Sequence, residues 1–166
     1  NHDFATAIGY QAISSVKGQH SYSSSYFSGG GTAGRGNGCT YVLYAEGTDA
    51  TPQVMTTTKT TAAADNQIAA PTNDTCITFH GTVVAMQNGA QAHAGWEIKG
   101  MLVNDGGTTT LALGNVSDMA ATNASSWAVA LSADNTNNAL KIQVTGEASH
   151  NIRWVANVQT SEVTYA

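Results

Sequence analysis

Charged side chains are scarce in this 166-residue chain, because Asp, Glu, Lys and Arg together make up 10% of it, against roughly 25% in ordinary soluble domains. Proline is also rare, with 2 residues, whereas Thr, Ser, Asn, Ala and Gly are abundant. This composition disfavours exposed helices, which depend on long charged side chains, and favours strands joined by tight turns. A surface with so little charge also suits packing against sister chains in an assembly.

Other absences exclude whole classes of function. The net charge is −5 and there is no cluster of Lys or Arg, so no binding to nucleic acid is expected. No apolar run reaches the ~18 to 20 residues of a membrane span, and no signal peptide is present, so no membrane insertion is expected. The chain starts at Asn1 without an initiator methionine, and we expect a fragment of a longer protein. Nucleotide-binding loops, nucleophile elbows and zinc-protease motifs are lacking, so the sequence predicts neither a cofactor nor an enzyme.

Cysteine and histidine leave two questions open. Cys39 and Cys76 could form a disulfide or stay as two buried free thiols, and the thiols are favoured because free cysteine is commonly buried. The 5 histidines are scattered without local ligand spacing, so no metal site is predicted. A homotrimer could still bring three copies of His20 or of His80 to its axis. Residues 134–138 (DNTNN) begin like a calcium loop but lack its later Gly and Glu, which favours a hairpin turn.

From Cys39 onward, apolar and polar residues alternate with a period of two, the pattern of half-buried strands. In the longest alternating run, Ile77, Phe79, Val83 and Ala85 share one face. Turn-forming residues at 104–107, 134–138 and 146–149 predict that the last three strands form an antiparallel meander. The predicted strands lie at residues 39–46, 53–58, 75–87, 96–102, 127–131, 140–144 and 152–158.

The composition divides the chain near residue 38. Residues 1–38 are rich in Gly, Ser and Tyr and have too few apolar residues for a core, so we expect a stem that packs on copies of itself in a homotrimer. Residues 39–166 are predicted to form an all-β tip domain, an antiparallel β-sandwich of jelly-roll type. Trp96, Trp127 and Trp154, together with Tyr41 and Tyr44, could form a sugar-stacking platform. Each Trp is in phase with aliphatic neighbours, however, which favours core packing.

Three C-terminal stretches carry a resemblance to a known family: residues 95–100 (GWEIKG), 127–135 (WAVALSADN) and 140–162 (LKIQVTGEASHNIRWVANVQTSE). They resemble the end domain of tail fibre and related structural proteins of tailed bacteriophages, especially phages of aquatic bacteria. Residues 17–36 are similar to the small-residue repeats that often precede that domain and, more weakly, to head repeats of trimeric autotransporter adhesins. The resemblance implies a homotrimer joined to the rest of a phage fibre, assembled in the bacterial host cytoplasm and carried on the virion. It transfers no catalytic residues.

Three functions remain open at this point. The chain could be the distal part of a tail fibre that contacts a host surface glycan, lipopolysaccharide or protein, or a capsid decoration protein or trimerisation cap without a receptor. It could also be a depolymerase domain, which requires two carboxylates facing each other across a groove. We expect the first, with weak sites multiplied by the trimer and placed on the loops at 87–93, 104–108 and 115–125. The candidate binding residues are Gln87, Asn88, Gln91, His93, Asn104, Asp105 and Asn123.

Overall fold

The computed structural model describes residues 3–25, 27, 36–89 and 91–165. It is all-β, with two sheets that face each other across one hydrophobic core, so the predicted β-sandwich is confirmed. The described residues contain no helix, and therefore none that could cross a membrane. Their strands are β1 (Thr6–Gly9), β2 (His20–Ser23), β3 (Gly36–Gly47), β4 (Gln53–Val54), β5 (Ile68–Ala69), β6 (Thr75–Gln87), β7 (His93–Asp105), β8 (Thr108–Thr122), β9 (Ala128–Asp134), β10 (Ala139–Thr145) and β11 (Ile152–Thr164).

The large sheet has seven strands in the order β1-β2-β3-β11-β6-β7-β8, and the small sheet gathers β4, β5 and β9 around β10. Every pair is antiparallel except β1–β2. The long strand β11 lies in the middle of the large sheet and pairs with β3 on one side and β6 on the other. Strand β11 is therefore fixed along both edges. The jelly-roll connectivity of the sandwich stays a prediction.

The core contains the apolar faces that the alternation predicts. All four apolar residues assigned to one face of β6 are buried, and β6 has the predicted bounds. The indole rings meet across the core: Trp154 stacks on Trp96 with ring centroids 5.5 Å apart and tilts against Trp127 at 5.6 Å. All three tryptophans are buried, so their predicted role in the core is confirmed.

Two strand predictions are wrong. The last three strands form no meander, because β9 and β10 make a hairpin in the small sheet whereas β11 belongs to the large one. The turn at residues 146–149 therefore leads the chain from the small sheet to the large sheet. The 15-residue strand β8 is missing from the predictions. Most of its side chains are exposed, so its sequence lacks the alternation that a buried face produces.

The N-terminal segment packs on its own chain as far as it is described. Strands β1 and β2 extend the large sheet beyond β3, and Val16, Gln19 and Ser21 are buried there. Strand β3 begins at Gly36, inside the predicted stem, so the change of composition near residue 38 does not mark where the sheet starts. The repeated glycines at 29–31 and Gly34 lie outside the described residues. The packing of this segment in a homotrimer stays a prediction.

Candidate functional site

The predicted binding residues fall at two opposite ends of the large sheet. The β6–β7 turn lies at one end, and β8 finishes beside it, because Thr122 pairs with His93. The other end holds the β7–β8 turn, where Asp105 pairs with Thr108. The structure thus brings together five of the candidates, namely Gln87, Asn88, Gln91, His93 and Asn123, and separates them from Asn104 and Asp105.

Two of the loop predictions need correction. Asn104 is fully buried within β7 and donates from Nδ2 to the backbone carbonyl of Ala70 at 2.7 Å, so it holds the fold together and is not exposed to a ligand. Residues 115–122 belong to strand β8 and not to a loop. Asp105 is exposed at a tight turn in which Gly106 and Gly107 have φ of +56° and +85°, the conformation that favours glycine.

Two clefts adjoin at the end of the sheet that carries the β6–β7 turn. Both are lined by Glu46 near the end of β3, and we call them the Glu46 clefts. The first, of about 530 Å³, lies between β3, β4 and the loop after β4. The second, of about 500 Å³, lies between β3, β11 and the β6–β7 turn. Their polar and aromatic lining residues are Tyr44, Glu46, Gln53, Lys59, Thr60 and Thr61 in the first and Glu46, Thr48, Gln87, Asn88, Asn151 and Arg153 in the second.

Two cations hold the carboxylate of Glu46. Its Oε2 accepts from Lys59 Nζ at 2.7 Å and its Oε1 accepts from Arg153 Nε at 3.0 Å. The hydrogen bond from Lys59, followed by that from Arg153, lowers the pKa of Glu46. Glu46, Lys59 and Arg153 together give the Glu46 clefts a formal charge of +1, whereas the whole chain carries −5. The side chain of Arg153 is 81% exposed, so its guanidinium is within reach of a ligand.

The register of the sheet assembles this site from distant segments. Glu46 pairs with Arg153, which pairs in turn with Met86, so residues far apart in sequence stand side by side on the outer face of the large sheet, the face turned away from the small sheet. A backbone hydrogen bond holds the adjoining β6–β7 turn: Asn88 N–H donates to Asn151 C=O at 2.8 Å. Sequence reasoning missed Glu46, Lys59 and Arg153, whereas it named Tyr44 as a possible sugar-stacking residue. The only signal of Glu46 and Arg153 was a charged residue in the polar phase of a strand, and Lys59 lies in the loop between β4 and β5.

The remaining predicted residues lie beside the clefts. Gln87 and Asn88 line the second cleft. His93 and Gln91 form a local contact, with His93 Nδ1 2.8 Å from the carbonyl of Gln91, and Asn123 follows the end of β8 with a φ of +53°. These three residues are exposed at the same end of the sheet without lining either cleft.

The described residues hold no cluster of three His, Cys, Asp or Glu that could bind a metal. His20 and His80 are exposed on one row of the outer face, linked through Thr40 and Gln159. Three strand spacings separate them, about 14 Å at ~4.8 Å each, so one chain cannot bring both to a single ion.

The loop with calcium-like spacing is a hairpin turn. Asp134 Oδ1 accepts from the backbone amides of Thr136 and Asn137 at 3.0 and 3.2 Å. Burial acts to raise the pKa of Asp134, but the hydrogen bonds from Asn137 and Thr136 outweigh it and leave that pKa lowered. The carboxylate thus stabilises the turn, as the sequence predicts.

A polar cluster lies on the core-facing side of the large sheet, at the end away from the clefts. Glu162 Oε1 accepts from Tyr41 Oη at 2.9 Å and from Thr160 Oγ1 at 2.7 Å. Burial raises the pKa of Glu162, against the effect of these hydrogen bonds. Cys39 is buried beside them and Cys76 is half-buried on the opposite face. Both are free thiols, as predicted, but only Cys39 is buried, and burial raises the pKa of Cys39 to about 11.

No protein-family model matches this chain, and no curated protein matches it either. The resemblance to phage tail fibre end domains therefore stays a prediction, and the function has to be argued from the geometry of the site.

Proposed function

We propose that this chain is a structural and receptor-binding part of a virion, the distal end of a homotrimeric phage tail fibre, which contacts a host surface glycan through the Glu46 clefts. One observation carries the binding part of the proposal. Two adjoining clefts combine an exposed tyrosine, several amide side chains and a carboxylate fixed by Lys59 and Arg153. Tyr44, whose side chain is 41% exposed, offers an apolar ring face with a polar tip, and the amides can both donate to and accept from hydroxyl groups.

The charge of the clefts favours an acidic glycan over a neutral one. Two cations face one carboxylate in a chain that is otherwise acidic. Arginine presents a planar set of donors that matches a carboxylate or phosphate, and it is weakly hydrated compared with lysine. Acidic sugars and the phosphates of lipopolysaccharide supply those groups.

The scaffold fits a binding role because the clefts lie on long, paired strands. Strands β3, β11 and β6 fix Glu46, Arg153 and Met86 in register, and sites on such rigid elements keep their geometry. Three copies in a homotrimer would multiply weak binding by ~10²- to 10⁴-fold without any further contact. Assembly on a fibre therefore turns shallow clefts into an effective receptor site.

The alternative of a depolymerase has less support in the same clefts. Glycoside hydrolysis commonly needs two carboxylates on either side of the scissile bond. Among the described residues that line the clefts, Glu46 is the only carboxylate, and two cations already hold it. A decoration protein or trimerisation cap without a receptor remains the second candidate, and it predicts that the clefts bind no glycan.

Binding of purified lipopolysaccharide and of acidic and neutral capsular oligosaccharides, measured by calorimetry, tests the site. We expect R153A to weaken binding of the acidic ligands about 10- to 100-fold, because a hydrogen bond to a charged group contributes ~1.5 to 3 kcal/mol. Q159A is the matched control, since Gln159 is exposed on the same strand and face but lies outside the clefts. Equal binding by R153A and Q159A would place the site elsewhere. No binding by the wild-type chain would favour the cap.

The solution mass tests the assembly independently of the glycan. Light scattering over a dilution series should give three times 17.1 kDa for the homotrimer, or a multiple of three chains if the trimers associate further. A mass that corresponds to one or two chains at every concentration would remove the homotrimer and its stem from the proposal.

A further inference from the structure

Strand β8 leaves a long edge of the large sheet open. It pairs with β7 on one side and ends the strand order, so within the described residues no strand is hydrogen-bonded to its other side. The strand has 15 residues, whereas β1 at the opposite edge of the sheet has 4. The backbone N–H and C=O groups along such an edge are available to pair with a further strand.

Within the described residues, β9 lies close to the core-facing side of β8, where Leu131 is near Gly114, and side chains of the β9–β10 turn bond the beginning of the edge. The backbone N–H of Thr109 donates to Asn135 Oδ1 at 2.7 Å, and its hydroxyl donates to Asn138 Oδ1 at 3.1 Å. From Ala112 to Thr122 every side chain except that of Val116 is exposed. The exposed side chains include large apolar ones, and they are the main observation that calls for a partner.

Between its two bulges the edge lacks the lysines and prolines that usually prevent strand pairing. Natural edge strands carry lysines, prolines or inward-pointing charges that keep other strands away. Strand β8 contains no Lys, Arg or Pro, and its single charged residue is Asp118. Two β-bulges distort it opposite Gly95/Trp96 and Met101/Leu102, but residues 113–118 between them pair regularly with β7. This stretch presents a regular, nearly uncharged edge.

We propose that β8 pairs in antiparallel fashion with β8 of a second copy of this chain, about a two-fold axis at Val116. In this register Leu113, 62% exposed, lies opposite Met119 of the second copy, 64% exposed. Met119 is the bulged residue that follows the regular stretch, and it lies beside Gly95 on the outer face. Asn115 lies opposite Ser117 and Asp118 opposite Gly114. The apolar side chains of one copy thus cover those of the other.

Charge favours this register over its neighbours. The two Asp118 carboxylates lie four residues apart along the strands, about 14 Å at ~3.4 Å per residue, which exceeds the Debye length of ~8 Å at physiological salt. Moving the axis to Asp118 itself would oppose the two carboxylates directly, which is destabilising across a strand pair. Association of two like chains with a net charge of −5 needs such a nearly neutral contact.

The pairing joins two seven-stranded sheets into one and keeps both outer faces on the same side, because the axis is perpendicular to the sheet. The two sets of Glu46 clefts then face the same way. This contact does not depend on the homotrimer proposed above, since an isologous contact joins chains in pairs whether or not a three-fold contact also exists.

The solution mass of an edge variant tests the proposal. L113K/M119K places two lysines of one copy opposite those of the other, and we expect the mass to halve, from two chains to one or, if trimers also form, from six to three. T78K/T82K is the matched control, because it adds the same charge at exposed positions of the central strand β6 and should leave the mass unchanged. Far-UV circular dichroism checks that both variants fold. An unchanged mass for L113K/M119K would refute the pairing, as would a wild-type chain whose mass is not an even multiple of 17.1 kDa.

Cysteine cross-linking tests the register separately. In the proposed pairing N115C/S117C brings each new cysteine opposite one of the second copy, and directly opposed strand residues lie ~4.5 to 5.5 Å apart between Cα atoms, within the range of a disulfide. Mild oxidation should therefore yield a covalent dimer on a non-reducing gel, whereas S117C alone should yield little. Equal cross-linking of the two variants, or none in either, would contradict the register. Glycan binding by L113K/M119K shows whether the clefts function independently of this contact.

Discussion

The tryptophan cluster offers the most direct test of how the core is built. Trp154 lies on the central strand β11, is 2% exposed, and contacts the rings of Trp96 and Trp127 at 5.5 and 5.6 Å. It therefore joins strand β7 of the large sheet to the segment that leads into β9 of the small sheet. We expect W154A to lower the free energy of unfolding more than any change to an exposed residue of β11.

The size of the loss follows from area and ring contacts. Burying a tryptophan removes about 200 Å² from water, which at ~25 cal/mol per Å² stabilises by about 5 kcal/mol, part of which the alanine Cβ retains. Substitutions of buried Trp by Ala commonly cost about 3 to 5 kcal/mol in total, which includes the ring contacts at ~0.5 to 1.5 kcal/mol each. We therefore expect a loss of about 3 to 5 kcal/mol, a large share of the ~5 to 15 kcal/mol that stabilises a domain.

Urea unfolding followed by far-UV circular dichroism measures this loss without relying on the fluorescence of the substituted residue. V155A is the control, because Val155 is the next residue on the same strand, faces outward and is 37% exposed. We expect V155A to cost less than about 1.5 kcal/mol. W154F, which keeps one ring, should cost about 1 to 3 kcal/mol and remains measurable if W154A does not fold. If W154A and V155A were equally destabilised, the assignment of β11 to the centre of the core would be wrong.

Two further predictions concern Glu162, in the polar cluster near the other end of β11, and the thiols of Cys39 and Cys76. Burial holds the pKa of Glu162 above its ordinary value of 4.5, so the stability linked to its protonated form is present below pH ~4.5 and is lost as the pH rises through the higher folded pKa. E162Q, which keeps an oxygen acceptor for Tyr41, should therefore match the wild type near pH 4 and exceed it in urea midpoint at pH 8; a pH-independent difference would contradict this. Cys39, buried with its pKa raised to about 11, should react at pH 8 with a chromogenic disulfide reagent at least ~10-fold more slowly than the half-buried Cys76, because the thiolate is the reactive form. Equal rates in the folded chain, or only one reactive thiol in urea, would overturn that assignment.

Much of the fold could be predicted because alternation reports which strand faces are buried. Strand β6 and the inward faces of β7, β10 and β11 follow from period-two patterns of Ile, Val, Phe and Trp. Strand β8 could not be predicted in this way, since an edge strand that is exposed on both faces carries no such pattern. Alternation also does not show which strands pair with each other. The sequence therefore predicted that β11 forms a meander with β10, although β11 pairs with β3 and β6.

The sequence indicated part of the lining of the clefts. Loop position selected Gln87 and Asn88, which line the second cleft, but it also selected Asn104, which the structure buries against Ala70. An asparagine beside a glycine-rich turn looks the same in sequence whether its amide points to solvent or to a backbone carbonyl. Only the residues that surround the asparagine in the folded chain determine which of these two directions its amide takes.

The sequence by itself determined that the protein is all-β, that its tryptophans lie in the core and that no local motif for catalysis or metal binding is present. These conclusions depend on composition and on spacing within single strands. The tertiary structure alone decided that Glu46, Lys59 and Arg153 meet. It also decided that the turn at residues 146–149 connects the small sheet to the large one, and that one edge of β8 has no hydrogen-bonded strand among the described residues. These features depend on the register between strands far apart in the chain, which is set by packing over the whole sandwich and not by any local pattern.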